Sequence, residues 1–239
     1  MKVVLLLLLA GLLSLPAARA QTARDITDIG VALYQQANSP GALERMRKDL
    51  VNAPEAYLVS VEQPGTLVLL DKRRVRVPGL RYNVALHLLE VRDSTGFHVW
   101  PPGSLDGFYL GRTSPDVRHF RTWKLRTGPT RLDFVEMLTP DAAPLVLAVQ
   151  HVYVHQDAQL DPVLRTETRA ARTAIDQVVL TGAGPEPLRE LPLNQRSVGK
   201  LFGPRAAAVQ AFAQREHLSY TDLAQVLRMV DYYNQGAGQ

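Results

Sequence analysis

His151-Val-Tyr-Val-His155 is the stretch with the types and spacing closest to a metal hook. On a helix, two imidazoles four residues apart lie about 6 Å from each other, near enough to share a zinc ion. The neighbouring residues argue for another conformation. Val152, Tyr153 and Val154 follow Leu145-Val146-Leu147, and β-branched and aromatic side chains favour a strand. On a strand the two histidines share a face but stand about 13 Å apart along the chain. Zinc–nitrogen bonds are about 2.0–2.1 Å long, so one ion cannot join them. A half-exposed strand face is expected here, with no metal and no cofactor.

Ser197-Val-Gly-Lys200 has the spacing of the Ser-x-x-Lys found in acylating serine enzymes, where a neutral lysine activates the hydroxyl. The companion Ser-Asp-Asn and Lys-Thr-Gly elements are absent. Ser197 then reads as a helix-starting residue and Lys200 as a solvated one. No Gly-x-Ser-x-Gly, His-Glu-x-x-His, calcium-loop or phosphate-loop pattern occurs. No catalytic, metal or cofactor residue is therefore assigned. Asp71–Arg81 is the densest basic run. On a strand Lys72, Arg74 and Arg76 alternate away from Arg73, Val75 and Val77. Such a strip suits phosphates or an acidic glycan, or serves as a charged edge that discourages aggregation. Trp100, Phe108, Tyr109, Phe120 and Trp123 are expected to pack the sheet.

The elements that must position these residues follow from the hydrophobic period. Residues 21–54 read as a helical arm: Ile26, Ile29 and Leu33 recur at helical spacing, and Ser39-Pro40 starts a second helix. Residues 55–191 read as an antiparallel β-rich domain. Short apolar runs such as "YLVSV", "TLVLLD", "RRVRV", "YNVALHLLEVRD" and "LVLAVQHVYVH" are separated by turn stretches such as "EQPG", "VPG" and "DSTG". The polar stretch 156–174 reads as a loop with one helical turn near "RAARTA", followed by a last hairpin, "QVVLT" and "PLREL". Residues 192–239 read as a helical module. Val198, Leu201 and Phe202 share one face, and Leu223, Val226, Leu227 and Val230 share another. Ser219 and Asp222 have capping-box spacing. The fold class expected is α+β: a sheet, sandwich or partly closed barrel with helices at both ends.

Residues 1–20 have the layout of a secretory signal: Lys2, the apolar run Val3–Leu15, then Ala18-Arg19-Ala20. Pro16 and Arg19 cut the run short of the roughly 20 residues that span a bilayer. Lys2 and Arg19 leave with the leader, so the 27 basic residues fall to 25 against 23 acidic ones. That balance gives no reason to expect a nucleic-acid partner. The chain contains no cysteine, so an exported form relies on its core rather than on disulfides.

Arg81-Tyr82-Asn83, Ser197 with Lys200-Leu201-Phe202, and the closing Tyr233-Asn234 carry a resemblance. The chain resembles a family of uncharacterised exported bacterial proteins in which a β-rich body precedes a short C-terminal helical module ending in Tyr-Asn. The resemblance implies export and this architecture, and it brings no catalytic residue. The expectation is a periplasmic or extracellular, non-enzymatic structural or interaction module of the envelope, not membrane-spanning once the leader is removed. Its partner would be an envelope protein, a glycan or a lipid. A carrier of lipid or another apolar ligand is the alternative, because a curved sheet encloses a cavity. A hydrolase with a scattered site is the third.

Overall fold

The computed structural model describes residues 54–94, 96–112, 117–126, 131–156, 159–160, 167–169, 172–184 and 186–237. The leader and, Pro54 aside, the N-terminal helical arm expected from the sequence lie outside them. A 3-10 turn, Pro54–Ala56, opens the described chain. Twelve strands follow: β1 Gln63–Val68, β2 Arg74–Asn83, β3 Leu88–Asp93, β4 Gly96–Trp100, β5 Gly107–Leu110 and β6 Arg118–Leu125, then β7 Arg131–Met137, β8 Val146–Gln156, β9 Gln159–Leu160, β10 Glu167–Arg169, β11 Arg172–Gly182 and β12 Arg189–Glu190. Three α-helices close the chain: α1 Gln195–Leu201, α2 Ala206–Arg215 and α3 Leu223–Ala237. The fold is α+β.

Ten strands form one antiparallel sheet in the order β12-β11-β8-β7-β6-β5-β1-β2-β3-β4, and β9 pairs with β10 in a separate ribbon. The longest ladder joins β8 to β11, unbroken from Val146↔Gly182 to Gln156↔Arg172. The sheet curls strongly. β2 and β7 are four places apart in the strand order, which in a flat sheet would separate them by about 19 Å. Yet the rings of Tyr82 on β2 and Phe134 on β7 meet with centroids 5.7 Å apart. Phe108 and Phe120 complete the cluster, stacked at 4.6 Å, while Tyr153 on β8 and Ile175 on β11 pack against it. A partly closed barrel filled with rings results, and the aromatic pairs add about 0.5–1.5 kcal/mol each beyond their buried area.

Several local readings of the sequence are corrected. Pro78-Gly79 is not a turn, because β2 runs straight through it. The pairing of β1 with β2 slips there, from Gln63↔Leu80 to Gly65↔Val77, giving β2 one extra residue. Such a bulge tolerates a proline, which has no N–H to donate. The turn falls instead at Val84–His87 and splits "YNVALHLLEVRD" into β2 and β3. The Asn83 side chain accepts a bond from Leu86 N at 3.0 Å, and His87 takes the left-handed conformation, φ 52°. "EQPG" contributes its last three residues to β1, whereas "YLVSV" forms no strand, only a bridge from Tyr57 to Asn83. Within the polar stretch, β8 extends to Gln156 and β11 begins at Arg172. "RAARTA" is therefore strand at Arg169 and from Arg172 onward, not helix. The last hairpin forms as expected.

Asn194 caps α1, its side chain accepting Ser197 N at 2.8 Å, so Ser197 lies inside the first turn. Asp222 rather than Ser219 caps α3, accepting Gln225 N at 2.9 Å. Gln225 in turn reaches back to accept Ser219 N at 2.6 Å. α2 ends in a Schellman motif: Leu218 N donates to Ala213 O and His217 N to Gln214 O, with His217 left-handed where glycine is the relaxed residue.

The apolar stripes of the helices pack together on Leu145 and Leu147 of the β8 region, Val179 of β11 and Leu191. Asn234 locks this docking. Its amide accepts Leu145 N and donates to Leu145 O, both at 3.0 Å, as a neighbouring strand would. Replacing Asn234 with alanine strands both backbone groups and is expected to cost about 1–3 kcal/mol. Native-state hydrogen exchange should show faster exchange in α3 and at Leu145. Unchanged protection there would mean that the docking is held by apolar contact alone.

Candidate ligand-binding cleft

Strand alternation sorts β5 and β6 into two functions. Phe108 and Phe120 point into the barrel and are fully buried, so Tyr109, His119 and Arg121 face out. Their pairing places Tyr109 opposite His119 and Gly107 opposite Arg121. With no side chain, Gly107 leaves the floor of a depression open. Lys72 from the β1–β2 turn, Arg74 at the start of β2, Asp106 just before β5 and Asp141 after β7 complete a cleft of about 290 Å³.

The polar groups of the cleft are held in a fixed order. Arg121 is the centre: its two terminal nitrogens donate to Asp141 at 2.8 Å and to Asp106 at 3.0 Å. The same guanidinium lies over Trp123, 5.3 Å from the ring centre. Lys72 Nζ donates to Asp106 at 2.5 Å. The Asp106 backbone is pinned as well, its N–H donating to Val68 O and its carbonyl accepting Thr122 N. Burial acts to raise the Asp106 carboxyl, but the bonds from Lys72 and Arg121 outweigh it and hold the pKa below the usual range. The His119 ring stacks on Tyr109 at 4.4 Å, 7° from parallel. Burial pushes the His119 pKa down; Asp141 opposes this, and Arg121 and Arg74 add to it. Arg74 approaches the same tyrosine, 5.2 Å from the Tyr109 ring centre and 3.5 Å from its hydroxyl. Two buried atoms in the cleft lack hydrogen-bond partners, Arg121 Nε and Asp141 Oδ1.

The carboxylates of Glu136, Glu90 and Asp133 are each held by fixed partners. On β8, His151 is committed to the acid of a neighbouring strand. It donates from Nε2 to Glu136 Oε2 at 2.7 Å, and Arg118 clasps the same carboxylate with bonds of 2.7 and 2.6 Å. Glu90 accepts from Tyr57 Oη at 2.6 Å and from Arg81, whose guanidinium covers the Tyr57 ring. Burial first, and the Glu90 bond next, push the Tyr57 hydroxyl above the phenol range. Buried Asp133 accepts Phe134 N at 2.8 Å, Gln150 Nε2 at 2.7 Å and His87 Nδ1 at 3.0 Å. The last contact ties the β2–β3 turn to β7. It has the form of an orienting acid and a base, but no hydroxyl is hydrogen-bonded to His87 among the described residues. No group of three or more metal-ligating side chains occurs among them either.

Ser197 and Lys200 sit on α1 beside a shallow groove of about 440 Å³ whose lining includes Lys200, Phe202 and Tyr220. Ser197 donates its backbone N–H to Asn194, and no bond joins its hydroxyl to Lys200. The basic run divides. Lys72 and Arg74 enter the cleft, Arg73 pairs with Asp71 at 2.6 Å, Arg76 is exposed and Arg81 pairs with Glu90. Asp106, Tyr109, His119, Arg121 and Asp141 were not singled out as a set by sequence reasoning. They come from separate segments, which the β5–β6 register and the chain before β5 and after β7 bring together. No family model, curated protein or solved structure matches the chain.

Proposed function

We propose that this protein is an exported, non-enzymatic interaction module of the cell envelope that recognises its partner through the Arg121-centred cleft. One observation carries the reading. The carboxylates of Glu90, Asp133 and Glu136 are each held by fixed partners, whereas the outward groups of β2, β5 and β6 converge on an open depression. Nucleophilic catalysis needs a base positioned against a nucleophile; among the described residues the His87–Asp133 pair has no hydroxyl bonded to it. A carrier of apolar ligands needs an empty cavity, and the concave side of this sheet is occupied by Tyr82, Phe108, Phe120 and Phe134.

Export rests on the leader pattern of residues 1–20 and on the resemblance to exported bacterial proteins with a helical module ending in Tyr-Asn. No helix of the described residues is long and apolar enough to cross a membrane. The test is proximity cross-linking in the native envelope, followed by mass spectrometry, with wild type and an Arg74→Glu variant. A repeatable neighbour that the variant loses is the expected result. Recovery without any repeatable neighbour, or with neighbours indifferent to the variant, would overturn the proposal.

A further inference from the structure

The geometry points to an oxyanion, a phosphate or carboxylate group on a small or glycan-borne ligand, as what the cleft binds. This rests on the cleft being the working surface and names its ligand class. Lys72, Arg74 and Arg121 bring three positive charges against the two carboxylates of Asp106 and Asp141, leaving an excess of one with His119 neutral. That excess resides on Arg74. Among the described residues its guanidinium has no carboxylate partner; it rests on Tyr109 and makes one long bond to that hydroxyl. A planar donor fork placed over a ring, with no further bond to its donors among the described residues, is a pre-formed receptor for a two-oxygen acceptor.

Lys72 supplies a second donor. An ammonium has three hydrogens, and only the bond to Asp106 is satisfied. Its backbone adds an independent sign. Lys72 lies at φ 68°, in the left-handed region where glycine is the relaxed choice. Non-glycine residues held there cost about 1–3 kcal/mol and gather at binding sites. Here the turn carries that cost while placing an ammonium beside the cleft. Arg121 does not compete for ligand with its terminal nitrogens, which the two aspartates occupy; it fixes the positive field at the floor. The volume, about 290 Å³, is at the small end of ligand sites. A single anionic group with a sugar-sized substituent suits it, and a long acyl chain does not.

Equilibrium titration of the purified full chain with inorganic phosphate, and separately with acetate, at constant ionic strength is the direct test. His119 imidazole resonances are the reporter. Saturable shifts are expected for wild type, and Arg74→Gln should weaken binding at least 10-fold. Arg76→Gln, exposed on the same strand outside the cleft, should bind as wild type. Lys72→Gly should weaken binding yet raise thermal stability without ligand, since it relieves the turn while removing a donor. Preference for phosphate assigns a phosphoryl ligand and preference for acetate a uronate-like one; either supports the inference. Absence of saturation with both anions, or equal weakening by the Arg74 and Arg76 variants, overturns it. If saturation fails while the cross-linked neighbour still depends on Arg74, the interaction module stands and only the ligand class falls.

Discussion

Glu136→Ala is expected to lower stability by about 3 kcal/mol at neutral pH, from the cost of leaving one member of a buried, charge-assisted network alone. Glu136 on β7 holds Arg118 of β6 by two bonds and His151 of β8 by one, so its loss acts on three adjacent strands at once. Arg118 is 31 % exposed and regains water, but His151 is 2 % exposed and keeps only the Arg118 guanidinium, 3.1 Å from its Nε2. Denaturant unfolding should record the loss, with a fall of roughly 6–12 °C in Tm for a chain of this size. The same carboxylate sets an acid limb. Burial alone would raise its pKa; Arg118 and His151 outweigh burial and bring it from 4.5 to about 2. A group depressed in the folded state binds fewer protons there than in the unfolded chain. Its contribution is therefore complete above pH 4.5 and is lost as the pH falls towards 2. The shift corresponds to roughly 3 kcal/mol, and solvent around Arg118 reduces the amount expected to about 2. Glu136→Gln should flatten the stability curve across that window while leaving its shape above pH 5 unchanged. An acid limb identical in wild type and Glu136→Gln would show that other carboxylates set it.

The parts of this fold legible in the sequence are those encoded by alternation or helical period within one segment. β6, β7 and β8 stand out as β-rich runs between turn stretches, and α3 shows its stripe at Leu223, Val226, Leu227 and Val230; all form as read, with β8 buried on both faces from Val146 to His151. Failures came where a local signal had a non-local answer. Pro78-Gly79 is a turn signature by composition, but β1 and β3 on either side keep it in the sheet as a bulge. The true turn, Val84-Ala85-Leu86-His87, has neither glycine nor proline, and its left-handed residue is a histidine tied to Asp133, 46 positions away. The stretch 156–174 lacks alternation because the half of the β8–β11 ladder that reaches it leaves the core: Arg172 and Thr173 are exposed, while Val179 and Leu180 are buried. The cleft was half legible. Lys72 and Arg74 stood out as a charged strip, but the aspartates, the Tyr109–His119 stack and Arg121 depend on strand order and on curl. Those are set by contacts hundreds of atoms apart along the chain, such as Tyr82 against Phe134.

Gly107→Ala is expected to destabilise the protein by about 3 kcal/mol, at the upper end of what an added methyl costs in a packed structure, and to abolish the cleft's ordered geometry. Gly107 faces Arg121 across the β5–β6 ladder. A Cβ there would overlap the carbonyl oxygen of Phe120 and lie 3.0 Å from the Arg121 Cα. Both obstacles are backbone, so no side-chain rotation relieves them; β5 must move away from β6. That displacement reaches two places at once. Inside, it separates Phe108 from Phe120, whose rings stack at 4.6 Å. Outside, it moves Asp106, next to Gly107 in the chain, relative to the Arg121 guanidinium that it holds at 3.0 Å. Unfolding measurements should therefore show a large loss, and the His119 resonances should shift in the folded fraction even without ligand. Gly184, where a Cβ would meet nothing but φ is 58°, provides the contrast: alanine there strains only its own turn, at about 1 kcal/mol, and leaves His119 unmoved. Equal losses at the two glycines would mean that β5 and β6 are not in the close contact on which both the ring core and the cleft depend.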